Sequence, residues 1–255
     1  MKKILDVRDV GMAYHTVSGE IPALSHISFS VEEGEFVSLV GPSGCGKSTL
    51  LNLIAGLLVP EQGSILIRGV PLEQSSLTIG YMLQKDHLFE WRTIYENVIL
   101  GLEIQKKKTP EHLERVNRLL TEYGLKDFRD ARPSQLSGGM RQRAALIRTL
   151  ALDPSLLLLD EPFSALDYQT RLNVSDDIGA IIKKEKKTAL LVTHDISEAI
   201  SMSDRVIVLS KSPAVIRSVI PVFLEIPNRT PMASRNAPEF KTYFNRIWKE
   251  LNDHE

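Results

Sequence analysis

A chain of 255 residues, 43% hydrophobic and 25% charged, is long enough for one large domain or for a core carrying an inserted subdomain. Its formal net charge of −1 excludes the strong positive field that recruits nucleic acid or anionic lipid. The single cysteine, Cys45, excludes an internal disulfide and suits a reducing, cytoplasmic setting. The longest apolar stretch, 50–59, holds Asn52 and Gly56 and falls far short of the ~20 residues that span a bilayer. The opening Met1-Lys2-Lys3-Ile4-Leu5-Asp6 turns acidic too early for a secretory signal.

In chain order, Val7, Val10 and Met12 sit among polar residues, and Ile27, Phe29 and Val31 alternate with Ser28, Ser30 and Glu32, which predicts strands. Glu33-Gly34 predicts a turn. The mostly apolar run 36–40 has buried-strand length and feeds directly into a glycine-rich loop. Residues 47–57 then predict a helix with Leu50, Leu51, Ile54 and Leu58 on one face. Further strands are predicted at 65–67 and 78–83. From 97 to 152 the pattern turns helical and more polar. Thr109 followed by Pro110 marks a helix start, Leu113, Val116, Leu120 and Tyr123 line one face, and Gly124 ends it. After Pro154, buried-strand runs return at 156–159, 190–192 and 206–209, predicting a parallel sheet covered on both faces. A short strand at 216–220, a proline-rich stretch and a helix over 239–251 follow. The predicted organisation is one domain over 1–255, with an α/β core from 1–96 and 153–255 and a helical subdomain at 97–152.

Three stretches carry chemistry. Gly41-Pro42-Ser43-Gly44-Cys45-Gly46-Lys47-Ser48-Thr49 fits the Walker A phosphate loop. Its glycines expose backbone N–H groups to phosphate oxygens, Lys47 reaches the β- and γ-phosphates, and the Ser48 hydroxyl binds Mg²⁺. A plain glycine-rich turn is the competing reading, and the strand before it and helix after it argue against that. The octapeptide Leu136-Ser137-Gly138-Gly139-Met140-Arg141-Gln142-Arg143 offers a second anion surface. Ser137 can cap a helix, Gly138 and Gly139 let backbone approach an anion with no Cβ in the way, and a helix from Met140 adds its positive dipole end. Two such surfaces let a chain close over a nucleotide as a head-to-tail pair. Finally, Leu156-Leu157-Leu158-Leu159-Asp160-Glu161 delivers two acids to the C-terminal end of a buried strand, where ligands bind open α/β sheets. Alone, it would read as a strand end with two solvated acids.

The octapeptide resembles the signature of ATP-binding cassette (ABC) ATPases, and 156–161 resembles their Walker B strand. The motifs stand in the family's order from residue 4 to about 220. The resemblance implies an α/β fold: a P-loop NTPase (RecA-like) core with an N-terminal antiparallel β region and an inserted α-helical subdomain. It implies that Asp160 holds Mg²⁺ through water and that Glu161 polarises the attacking water. Gln84 matches the Q-loop glutamine, which meets Mg²⁺ and that water. His194 matches the switch histidine, which contacts the γ-phosphate; the other five of the six histidines read as surface or packing residues. Tyr14, expected in a turn, matches the aromatic that stacks on adenine. Ser164-Ala165-Leu166-Asp167 matches the D-loop, which crosses a dimer interface. Lys47 would stabilise the γ-phosphoryl charge, and Ser137, Gly138, Gly139 and Gln142 of one copy would complete the nucleotide site of the other.

Within the family, Trp91, Thr93, Glu96-Asn97-Val98 and His194-Asp195-Ile196-Ser197-Glu198-Ala199 resemble ATPase subunits of nitrate, sulfonate and taurine-type importers. Phe89-Glu90-Trp91 stands where many of these have Leu-Pro-Trp, and Leu83 where they have Phe, which leaves the cargo open. The implied protein uses ATP and Mg²⁺ and sits peripherally on the cytoplasmic face of the membrane. It works as a homodimer or with a paired ATPase subunit, on integral membrane permease subunits, with a periplasmic or lipid-anchored substrate-binding protein acting indirectly. The alternative is a soluble non-transport ABC ATPase acting on nucleic acid or ribosomes. Such proteins usually carry a long coiled-coil insert or two cassettes, neither of which stands here. The segment 84–97 places Phe89, Trp91 and Ile94 among charged residues and is expected to dock the permease. Trp91 packed inside the helical subdomain is the other reading.

Overall fold

The computed structural model describes residues 2–17, 19–227 and 229–252; both ends of the span 1–255 lie outside the described residues. Two long alternating segments, β1 (Lys3–Thr16) and β2 (Gly19–Glu32), pair antiparallel. The next strand, β3 (Phe36–Val40), enters a different sheet and leads through the glycine loop into α1 (Lys47–Ile54). The chain then returns to the first sheet with β4 (Gln62–Ile67), antiparallel to β1, and the short β5 (Val70–Pro71), giving the order β2-β1-β4-β5.

The second sheet is built by β3 with β6 (Ile79–Met82), β7 (Leu156–Asp160), β8 (Thr188–Thr193), β9 (Arg205–Leu209) and β10 (Ile216–Pro221), in the order β10-β9-β3-β8-β7-β6. Every pair is parallel except β10 with β9, so five strands send their C-terminal ends to the same edge. Between β6 and β7 come α2 (Ile94–Ile104), α3 (Pro110–Glu122) and α4 (Gly138–Leu150). Beyond β7 lie α5 (Tyr168–Lys184), α6 (Ile196–Met202), α7 (Pro231–Arg235) and α8 (Phe240–Asn252).

The near-continuous apolar strands serve both faces of this sheet. Because successive side chains alternate, Leu157, Leu159, Ala189 and Leu191 enter a core with α2–α5. Leu156, Leu158, Leu190 and Val192 enter another with α1 and the first sheet. All eight are fully buried.

Several boundaries differ from the sequence reading, each for a local reason. The first inserted helix begins at Ile94 rather than 97. Thr93 and Glu96 form a reciprocal capping box: Thr93 Oγ1 accepts from Glu96 N at 3.1 Å, and the Glu96 carboxylate accepts from Thr93 N at 2.7 Å. The helix after the glycine loop ends at Ile54 rather than 57, because Gly56 turns left-handed at φ +73 and Leu57 N closes back on Asn52 O. The signature helix α4 starts at Gly138, not Met140, with Ser137 as its cap. Tyr14 lies inside β1 and not in a turn. The helix over Pro110–Glu122 begins and ends as its Thr-Pro and Gly signals predict, and α8 lies one residue from the predicted 239–251.

Candidate active site

At the end of β3 the chain turns at once, and Gly46 at φ +108 caps α1. A Cβ there would lie 2.9 Å from the Ala23 carbonyl oxygen, so both the backbone angle and the close approach require glycine. The N-terminus of α1 thereby aims its N–H groups and positive dipole end at the loop, as an anion site demands. Lys47 is buried, and its Nζ donates to the carbonyls of Gly41 and Pro42 at 2.8 and 2.9 Å, stitching the loop to itself. The Cys45 side chain is buried beneath, and burial pushes its thiol up; it offers the loop backbone groups rather than a thiolate.

Asp160, at the tip of β7, accepts from the Ser48 hydroxyl at 3.2 Å and from the Tyr81 hydroxyl at 3.4 Å. Burial raises its carboxyl above the usual range, the Ser48 bond opposes this, and the neighbouring Glu161 adds to it. A cation beside Asp160 would relieve that penalty. The Ser48 hydroxyl and the Asp160 carboxylate lie side by side and are oxygen donors of the kind that a hard divalent ion takes. Among the described residues no group of three or more His, Cys, Asp or Glu could hold a metal.

Glu161 departs from β-geometry immediately after the strand, at φ +42, and its N–H donates to Val192 O at 2.9 Å. A non-glycine residue held there costs on the order of 1–3 kcal/mol, a strain that clusters at functional sites. Its Oε2 is met by Gln84 Nε2 at 3.4 Å and by His194 Nδ1 at 3.1 Å. Gln84 also donates to Ser164 Oγ at 3.4 Å. Side chains following β6 and β8 thus converge on one oxygen of the carboxylate that follows β7. A cavity of about 420 Å³ adjoins them, with Tyr14, Ile21, Pro22, Lys47, Glu161 and Ser212 in its wall. Tyr14 places its hydroxyl 3.0 Å from Thr49 Oγ1. Of these, Ile21, Pro22 and Ser212 carried no motif. Ile21 is paired across the strands with Tyr14 and stays exposed, and Ser212 Oγ donates to Pro22 O at 2.8 Å.

The family model for ABC transporters matches residues 24–164. The chain belongs to the ABC transporter ATPase family. It is 49% identical over 248 residues to the uncharacterized ABC transporter ATP-binding protein YtlC of Bacillus subtilis, covering 97% of this chain and 95% of that one. It is 37% identical over 247 residues to the aliphatic sulfonates import ATP-binding protein SsuB of Bacillus licheniformis, covering 97% and 94%. Among solved structures it is similar to the ATP-binding cassette MJ0796, in a dimeric post-hydrolysis state bound to ADP and Pi. That match has a TM-score of 0.73 and 31% identity, with coverage of 86% and 99%.

The fold is accordingly the P-loop NTPase core of an ABC ATPase, and the chain is the ATP-binding subunit of an ABC transporter. Its reaction is hydrolysis of ATP to ADP and phosphate, coupled to transmembrane transport. In this cassette Ser137 Oγ caps α4 by accepting from Met140 N at 3.4 Å. Ser137 and Gly138 are exposed, and neither lines the cavity at the chain's own phosphate loop. Gly139 is buried, and a Cβ there would lie 2.7 Å from Val174 Cγ2, so this glycine lets α4 pack on α5. Gln142, expected on the nucleotide-facing surface, is turned inward, 3% exposed, and its Oε1 has no partner.

The segment after Gln84 is lashed to the signature helix. Arg141 holds Asp86 at 2.8 Å and Glu90 at 2.9 Å, and Arg148 donates to the carbonyls of Asp86 and His87. Trp91 is 69% exposed and stacks on Phe89, with ring centroids 4.7 Å apart. Ile94, expected on the same surface, is fully buried in the core. Among the described residues no helix is long and apolar enough to cross a membrane.

Proposed function

We propose that this ABC ATPase is the motor subunit of an importer, pairing head-to-tail with a second copy and driving a separate permease for a small anion such as nitrate, a sulfonate or taurine. The observation that carries the reading is the convergence of Gln84 and His194 on the Glu161 carboxylate beside the phosphate loop. In this reading water attacks the γ-phosphoryl group in line. Glu161 orients that water and accepts its proton, Gln84 fixes its position, and His194 donates toward the γ-phosphate. Lys47, released from its loop carbonyls, moves its ammonium onto the β- and γ-phosphates, and the Tyr14 ring takes the adenine. Ser48 and Asp160, with Gln84, would hold Mg²⁺, which when bound neutralises charge on the phosphates.

Ser137, Gly138 and the α4 N-terminus supply the partner's γ-phosphate with donors. Their exposure away from the chain's own cavity supports this. The sulfonate-import relative supports the direction and the anion class. The exposed Phe89–Trp91 stack supports peripheral attachment to permease subunits, through which a substrate-binding protein acts indirectly. The test is to purify the complex assembled around this subunit, in lipid, and measure ATPase with nitrate, taurine and an alkanesulfonate. Stimulation by one of them is expected. A complex without a permease, or one that none of the three anions stimulates, would overturn the reading.

A further inference from the structure

Behind His194 lies a buried polar cluster that the hydrolysis scheme leaves unused. Glu198, in α6, is 3% exposed. Its Oε2 accepts from Thr193 Oγ1 at 2.7 Å, and that same hydroxyl accepts from Asp195 N at 3.0 Å. Both residues flanking His194 are therefore tied to one hydroxyl and, through it, to Glu198. From the other side comes Arg171, one helical turn beyond Asp167. Its guanidinium donates to Leu166 O at 3.2 Å and lies 3.6 Å from Asp195 Oδ2 and 3.8 Å from Glu198 Oε1. Arg171 Nε is buried and has no hydrogen-bond partner.

We propose that Arg171 and Glu198 are a positioning joint that fastens the loop 164–167 to the loop carrying His194, so that displacement of one is carried to the other. The proposal rests on the role given above to His194 in hydrolysis and on the resemblance of 164–167 to a loop that crosses the dimer interface. The joint is drawn loosely. At 3.6 and 3.8 Å the charges attract without hydrogen bonding, and a shift of under about 1 Å would convert both contacts into charge-assisted bonds. The unpartnered Nε is the donor that such a shift would satisfy. Loop 164–167 contains Leu166 and Ser164, and Ser164 already touches Gln84, so the joint closes a ring through Gln84, Glu161 and His194.

Charge is what Arg171 reads at Glu198. The charged groups facing that carboxylate are Asp195 on its own loop, Arg171 from α5 and Arg235 from α7, while β8 contributes the Thr193 hydroxyl. The strands β3 and β9 and the helix α8 meet α6 with apolar side chains, among them Val40, Val206 and Ile247. Burial pushes the Glu198 carboxyl up to about 7, against the Thr193 bond. Above that pH the carboxylate is ionised and holds the guanidinium; below it the group is neutral and the hold weakens.

The test compares the full-length subunit with Arg171→Ala, Arg171→Lys and Glu198→Gln, reading kcat, KM and ADP affinity between pH 6 and 8.5. Arg171→Ala is expected to lower kcat between about tenfold and 10²-fold, with KM and ADP affinity within about twofold. Arg171→Lys restores part of the loss. Glu198→Gln keeps the Thr193 contact and loses several-fold in kcat at pH 8.5, and the ratio to wild type approaches one at pH 6, where the wild-type carboxyl is also neutral. Wild-type kcat in Arg171→Ala, a matching loss of ADP affinity, or a pH-independent Glu198→Gln ratio would each overturn the joint. If Arg171→Ala does not fold, the Lys variant and the pH ratio decide. Glu161→Gln serves as the separate control: near-wild-type turnover there sinks the hydrolysis scheme, whatever Arg171 does.

Discussion

Glu161 holds its carboxylate against two side chains from different strands while its own backbone is strained. Replacing it with Gln keeps the size and removes the charge that, in the proposed scheme, polarises water. Turnover is predicted to fall by about 10²–10⁴-fold, while ATP still binds and holds two copies together, seen as an ATP-dependent dimer on a sizing column. Tyr14 is open to a milder test. Tyr14→Ala should weaken MgATP binding by about 1 kcal/mol by titration calorimetry, whereas Tyr14→Phe, which loses only the Thr49 contact, should bind nearly as wild type. Equal losses in both would remove the ring from the adenine site. The loop residues were readable because their spacing is local: strand, glycines, lysine and hydroxyl follow one another within a few residues. Ile21, Pro22 and Ser212 were not, since they reach the cavity only through strand pairing and a long return of the chain. The motif resemblance puts Gln142 on the nucleotide surface, whereas helical phase turns it inward: Gly139, Gln142, Leu146 and Leu150 share the buried face of α4.

The helix α2 shows how an element boundary changes the meaning of a surface. With Thr93 and Glu96 capping it, Ile94 becomes the first residue of a helix and turns into the core, while Trp91 remains on the loop outside. Ile94→Ala is therefore predicted to cost about 2–5 kcal/mol in denaturant unfolding. Trp91→Ala should change stability by less than about 0.5 kcal/mol while releasing the permease during co-purification. A large stability loss at Trp91, with the permease retained, would place the docking surface elsewhere. The Thr-x-x-Glu signal was present in the sequence, and the apolar character of Ile94 next to Trp91 masked it. The glycine of α4 teaches the same caution about variants. Gly139→Asp would collide with Val174 before it met any phosphate, so it reports on helix packing and not on the anion surface alone.

At the scale of the assembly, Ser137 is the cleaner probe because its side chain faces outward. Ser137→Arg gives up a helix cap worth about 1 kcal/mol and, in the proposed head-to-tail pair, would crowd the partner's phosphate. It should bind ADP normally as a monomer yet fail to hydrolyse ATP. Mixed with Lys47→Ala, it should recover activity, since one composite site then carries both lesions and the other carries neither. Loss of ADP binding by monomeric Ser137→Arg would mean that the octapeptide serves its own chain's nucleotide. The alternation along β7 bears on how such a motor comes apart. Leu157 and Leu159 belong to the core under the inserted helices, and Leu156 and Leu158 to the core under the phosphate loop. The strand is a party wall between the two cores, so they are expected to unfold together. Scanning calorimetry of the isolated subunit should show one endotherm whose van't Hoff and calorimetric enthalpies agree. Leu157→Ala and Leu158→Ala should each move that whole endotherm rather than split a shoulder from it. Because β7 is common to both cores, any motion that loosens one of them is expected to be held in check by the other.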